Sequence, residues 1–414
     1  MSVSFRFAAA AQAIRLSAIA GALAIALAGC ATKPAAPPPA PIPAAPETPA
    51  GHPLSENLPG FLTLPNIPAD HTPVRVGLLL PFSSGTPAVK ALAAAMLRAA
   101  QLALYDAGNR DIVLMPADEG STPAEAAGAA ARLLGQGAEV IVGPLYGSSV
   151  RAIADAARDR AVPVLSFSTE KSVAGNGIYL MGILPEGDTA RVVNYALAHD
   201  HHKFAALVPS TAFGDITLNT LKSAVTDGKG EVVSVERYDG TVDGVLAPAG
   251  RLAKTDADAL FIPQGGPDLR AAAPTLGTGG LDPSKVKLLG TGQWSDPANL
   301  AEPSLNGAWF AAPDPKGELA FTAKYHDTFG ANPPPLAALA YDAVSLVAAL
   351  AKGTPYKRFT SAALADPNGF AGTDGIFRFA PDGTAERGLA VMAVSPEGFR
   401  VVDPAPTTFV KPGS

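Results

Sequence analysis

EVIVGPLYGSSVRAIADAARDRAVPVLSFST, residues 139–169, decides the fold. It opens on a short apolar run, Glu139–Gly143, ended by a Gly-Pro pair. A helical stretch over Ser149–Arg160 follows, and a second apolar run, Val162–Phe167, closes the unit. Strand, helix and strand in so few residues predict a βαβ crossover, and hence parallel neighbours in a sheet covered on both faces.

The same alternation extends upstream. Val74–Pro81 reads as a buried strand. A helix over Thr86–Asp106 carries Val89, Leu92, Met96, Ala99 and Ala103 at helical spacing. Strand Asp111–Pro116 and helix Thr122–Gly135 come next. Thr122-Pro123 supplies an N-cap and a proline at the first helical position, which needs no N–H there.

Downstream the pattern restarts with helix Thr189–His199 and strand Phe204–Pro209. Then come a helix near Ile216–Val225, strand Glu231–Arg237, helix Val245–Lys254, strand Ala259–Pro263, helix Asp268–Leu276 and strand Val286–Gly290. A return follows through Trp309–Ala312 and helices Glu318–Phe329 and Leu336–Leu350. Residues 376–379, 389–394 and 399–402, separated by Pro-Asp-Gly and Pro-Glu-Gly turns, predict an antiparallel meander.

From Val74 onward some 340 residues remain, more than one hydrophobic core usually covers, so two lobes are expected. The net charge of −6 and the absence of a basic run there argue against a nucleic-acid partner. Cys30 is the only cysteine among 414 residues, which excludes an internal disulfide and a thiolate metal site.

The amino-terminal part has its own logic. Arg6 and Arg15 precede an uncharged apolar run from Leu16 to Leu27, about a dozen residues and too short to span a bilayer. Leu27-Ala28-Gly29-Cys30 resembles the lipobox of bacterial lipoproteins. That resemblance implies a signal peptide over 1–29 and acyl chains on Cys30, enough to hold a chain on a membrane. Residues 30–73 read as anchor and linker. Prolines at 34, 37, 38, 39, 41, 43, 46 and 49 favour extended polyproline II, a spacer on the order of 100 Å long. Ala31 after the cysteine, where aspartate favours inner-membrane retention in well-studied Gram-negative lipoproteins, implies the outer membrane.

The pieces RVGLLLPFSSG, EVIVGPLYGSSV, AVPVLSFST, ALVPSTAFGD, LLGTGQW, AYDAVSLVAAL and FAGTDGIFRFAPDGTAERGLAV, in that order, resemble the type I periplasmic-binding-protein fold of branched-chain amino acid receptors. The implied architecture is α/β and two-lobed: 74–187 with 312–350 in lobe 1, and 188–311 with 351–414 in lobe 2. Each lobe is a doubly wound, mostly parallel sheet. With lipobox and spacer, the chain looks most like the penicillin-binding protein activators. Those regulators carry a helical-repeat domain before this fold, and no such period fits the proline-rich stretch here.

In open α/β sheets ligands sit beyond the carboxyl ends of the strands. That rule selects Ser83, Ser148, Ser149, Ser168 and Thr169 from the first half, and Phe213, Gln264 and Trp294 from the second. The resemblance implies that Ser148 or Ser149, with Ser168 and Thr169, hold a ligand carboxylate. It departs at Phe213, where receptors place tyrosine, and at Gln264, where an acid pairs the ligand ammonium. The serines serve equally as helix caps, and Trp294 as interlobe packing.

Enzymatic readings are weaker. Ser168-Thr169-Glu170-Lys171 fits S-x-x-K, yet neither S-D-N nor K-T-G occurs. His199 and His202 lie one turn apart but lack a third metal ligand. No catalytic residue, metal or cofactor is expected. The expected function is non-catalytic activation of a peptidoglycan synthase by a membrane-anchored body, with a small polar ligand in the cleft as a further partner. The alternative is a solute receptor of an ABC transporter for amino acids or amides.

Overall fold

The computed structural model describes residues 60–65, 72–282 and 284–410. The signal peptide, Cys30 and nearly all of the linker lie outside them.

The first sheet contains β1 (Leu62–Thr63), β2 (Val74–Leu80), β3 (Ile112–Asp118), β4 (Val140–Val142), β5 (Val164–Ser166) and β6 (Ile178–Leu180), in the order β1-β3-β2-β4-β5-β6. All neighbours are parallel except β1, which runs antiparallel to β3. Between the strands run α1 (Pro87–Ala107), α2 (Pro123–Gly135) and α3 (Gly147–Asp159). Strand β6 has no counterpart in the sequence reading. Helix α2 starts as its sequence predicts: Thr122 Oγ1 accepts the Glu125 N–H at 3.3 Å, and Glu125 Oε2 accepts the Thr122 N–H at 3.0 Å.

Alternate residues of β2 feed the two faces of this sheet. Leu78 and Leu80 enter a core with Met96 and Ala103 of α1, whereas Leu79 enters one with Leu133 of α2 and Ile153 of α3. Helix α1 is the one described helix long and apolar enough to cross a membrane, and half of that stretch is buried in this core.

Helix α4 (Pro185–Leu197) carries the chain into a second sheet. It holds β7 (Lys203–Pro209), β8 (Glu231–Tyr238), β9 (Ala259–Phe261), β10 (Lys287–Gly290) and β11 (Trp309–Ala312), joined by α5 (Ala212–Asp227), α6 (Val242–Leu252) and α7 (Gly266–Thr278). With the later strands β15 (Ala390–Ser395) and β16 (Gly398–Asp403) the order is β16-β15-β11-β10-β9-β7-β8, so both sheets repeat one plan: the first long parallel strand sits between its first and second successors. The chain then returns through α8 (Pro315–Phe329) and α9 (Ala337–Leu350) to the first lobe. There Ala340, Ala343 and Val347 of α9 share a core with α1.

The carboxyl-terminal strands differ from the expected meander. β12 (Phe370–Gly372), β13 (Gly375–Phe379) and β14 (Ala385–Arg387) form a separate three-stranded sheet, whereas β15 (Ala390–Ser395) and β16 (Gly398–Asp403) add antiparallel to β11. The boundary at 351 moves accordingly. Phe359, Leu364, Phe377 and Phe379 lie in the first lobe's core, with the Phe379 ring 5.1 Å from Tyr179, and the chain rejoins the second sheet only at β15. Hairpin periodicity marks which residues alternate but not which sheet receives them.

Candidate functional site

In each lobe the strand order reverses between two adjacent carboxyl ends: β2 and β4 in the first, β7 and β9 in the second. Connections leave in opposite directions there and open a crevice. The first-lobe crevice is shaped by the turn after β4. Gly143 has φ +98°, and a Cβ on it would run into the Leu79 carbonyl of β2, so only glycine fits this close approach.

Beside that turn lies a cavity of about 430 Å³. Tyr146, Gly147, Ser168, Thr169 and Glu170 form its polar side, and Phe167, Ile183, Leu336 and Leu339 are among its apolar walls. Ser168 and Thr169 are thus where the sequence placed them. The other six candidates do not line this cavity.

Their positions have physical explanations. Ser83 is exposed, and its N–H donates to Asp118 Oδ1 at 3.1 Å in the turn entering α1. Ser148 is exposed on the first turn of α3. Ser149 is buried, and its hydroxyl bonds to Glu119, a carboxylate wholly removed from solvent after β3. Glu119 also accepts the N–H groups of Leu145 at 2.8 Å and Tyr146 at 3.1 Å. Burial pushes the Glu119 pKa up, and those N–H groups with the Ser149 hydroxyl pull it back. Ser149 therefore braces the turn and does not line the cavity.

In the second lobe, Phe213 is half-buried in the first turn of α5, which Thr211 caps by accepting the Gly214 N–H at 3.3 Å. Gln264 is half-buried after β9. Trp294 requires correction: it is a core residue. Its indole is fully buried, lies flat where Gly290 has no side chain, and donates to the carbonyls of Ile262 at 3.0 Å and Gln264 at 3.1 Å. It packs with Leu260, Leu288 and Phe310 inside the second lobe, neither in a cleft nor between lobes.

The S-x-x-K run forms no catalytic pair. The Ser168 hydroxyl accepts the Glu170 N–H at 3.1 Å, whereas Lys171 Nζ approaches Asp382 Oδ2 at 3.9 Å. Helix α4 ends at Leu197, so His199 and His202 lie beyond it and share no helical face.

Two residues missed by the sequence reading matter most here. Glu170 Oε1 accepts hydrogen bonds from Arg151 Nη1 and from the Ser172 hydroxyl, the latter at 2.8 Å. These bonds hold its carboxyl below the usual carboxylate range. Arg151 lies on α3 one turn beyond Gly147, and a Cβ on Gly147 would run into the Glu170 carboxylate. The available signal was an acid directly after a Ser-Thr pair at a strand's carboxyl end.

Where the chain crosses between lobes, buried charge collects. Asp188, in the first turn of α4, accepts the Gly292 N–H at 3.0 Å, and its second oxygen has no hydrogen-bond partner among the described residues. Asp342 of α9 accepts the Thr373 N–H at 2.8 Å and its hydroxyl at 3.2 Å. Burial pushes both carboxyls up to about 7. Arg387 of β14 is attracted to both, donates from Nη2 to the Met181 carbonyl at 2.6 Å and lies over the Phe377 ring at 5.3 Å.

Two parallel-sheet lobes, crossed three times by the chain and carrying their crevices at the strands' carboxyl ends, define a bilobal binding protein. A model of the periplasmic binding protein family matches residues 73–398, and the chain belongs to that family. Solved structures agree in fold. A solute-binding protein of an ABC transporter from R. palustris, in complex with benzoate, is 19% identical with a TM-score of 0.57, covering 82% of this chain and 98% of that one. The branched-chain amino acid transporter substrate-binding protein LivJ from Streptococcus pneumoniae, in complex with isoleucine, is 22% identical with a TM-score of 0.55, covering 80% and 100%. An ABC transporter substrate-binding protein from Sphaerobacter thermophilus is 19% identical with a TM-score of 0.61, covering 81% and 98%. Among curated proteins, an uncharacterized Rickettsia prowazekii (strain Madrid E) protein is 21% identical over 128 residues, 31% of this chain and 34% of that relative's length.

Proposed function

We propose that this chain is a lipid-anchored, non-catalytic receptor that holds a small solute between its lobes for an ABC transporter. One observation carries the reading: the cavity beside Ser168 and Thr169 lies beyond the carboxyl ends of β4, β5 and β6, the side of open α/β sheets where ligands sit. Membership of a binding-protein family and the resemblance of Leu27–Cys30 to a lipobox support the rest. The test is a thermal-shift screen of the purified full chain against periplasmic solutes. A ligand at a hundred times its Kd should stabilise the protein by about 2.7 kcal/mol. Thr169→Trp, which fills the cavity from an exposed position, should abolish that shift with little change in the unliganded melting point.

A second reading is activation of a peptidoglycan synthase from the outer membrane. Phe213 and Gln264 favour it, since neither offers the acid that a free amino acid's ammonium needs, and so do Ala31 and the long spacer. A chain that binds no solute but retains a synthase from a periplasmic extract would establish this reading instead.

A further inference from the structure

Helix α3 starts at Gly147 with N–H groups that no helical carbonyl can accept, and its dipole places partial positive charge at that end. Anions settle at such ends, and two relatives were captured with ligands bearing a carboxylate, benzoate and isoleucine. In this chain a carboxylate of its own stands beside that end without accepting its N–H groups. The Glu170 carboxylate lies against Gly147 so closely that any side chain at 147 would displace it. Its Oε1 is clamped by Arg151, one turn further along the same helix, and by Ser172. Its Oε2 receives no hydrogen bond among the described residues. No lysine, arginine or histidine lines the cavity that Glu170 borders.

We infer that the Glu170 carboxylate makes this cavity select solutes with an amine head on an apolar body and reject carboxylates. This rests on the receptor reading. An amine donates to the free Oε2 and pairs with its charge, while Tyr146, Phe167, Ile183 and Leu339 receive the apolar body. A carboxylate entering the same cavity meets a fixed like charge.

The experiment is titration calorimetry of the full chain in detergent with matched probes: benzylamine against benzoate, and isoamylamine against isovalerate. The wild type should bind each amine at least tenfold more tightly than its carboxylate partner. Glu170→Gln should shrink that ratio to within about twofold, and Arg151→Met, which leaves Glu170 unclamped, should preserve it. A wild type that binds the carboxylates as tightly as the amines overturns the inference. So does an unchanged ratio in a Glu170→Gln protein whose circular dichroism is that of the wild type. Absence of binding by either probe set would instead count against the receptor reading itself, and the inference falls with it.

Discussion

Replacing Trp294 by alanine separates a structural from a ligand-binding role at this position. The indole is fully buried in the second lobe, and its Nε1 donates to two carbonyls, of Ile262 and Gln264. Removing a buried tryptophan side chain costs roughly 3–5 kcal/mol through lost transfer energy and the cavity left behind. Leaving buried carbonyls without their donor adds about 1–3 kcal/mol. The expected loss is therefore about 4–8 kcal/mol, a large fraction of a typical domain's stability. Trp294→Phe keeps most of the ring contact with Phe310 and should lose only about 1–3 kcal/mol, the cost of the missing donor. Urea denaturation followed by far-ultraviolet circular dichroism measures both. A further variant sharpens the test. Gly290→Ala places a methyl where the indole lies, so it should destabilise the wild type and be tolerated in the Trp294→Ala background. A Trp294→Ala protein with an unchanged denaturation midpoint but lost ligand affinity would refute the core assignment.

The remaining predictions concern charge, anchor and spacer. Asp188 binds a proton more readily when folded, at about 7, than when unfolded, so the folded state carries an extra proton between roughly pH 4 and 7. Stability should fall as pH rises through that window, with the full cost, on the order of a few kcal/mol, present above pH 7. Asp188→Asn keeps an acceptor for Gly292 and should reduce that slope to the part that Asp342 contributes; an identical pH profile in urea melts would show that Asp188 does not titrate there. Cys30→Ser should move the protein from the membrane to the soluble fraction with its melting point unchanged, and a mutant that still sediments with membranes would exclude acylation as the anchor. Deleting residues 34–49 should leave the unfolding midpoint within about 0.5 kcal/mol, because a proline-rich segment of this composition buries no core, while impairing function in cells by shortening the reach. Full cellular function from the shortened protein would reduce the spacer to a simple tether.

Local order was legible in the amino-acid sequence because short-range physics writes it there. The strand–helix–strand run at 139–169, the Thr122-Pro123 start of α2 and the restart of alternation in the second half depend on residues a few positions apart. Together they determine two successive parallel α/β sheets, and the carboxyl-end rule then brings Ser168 and Thr169 to the cavity. Only the tertiary structure decided what depends on distant partners. Residues 376–379 and 390–395 both read as strands, but packing of Phe377 and Phe379 near Tyr179 assigns the first to a different lobe. Trp294 sits after a strand end like a ligand residue, yet the missing side chain of Gly290 draws it into the core. Glu170 reads locally as one letter of a weak motif. It becomes the charge that shapes the cavity because folding sets it against Gly147 and Arg151, 23 and 19 positions away. Periodicity reports what a chain segment buries, whereas recognition depends on which buried or charged groups meet, and that is set by contacts remote in sequence.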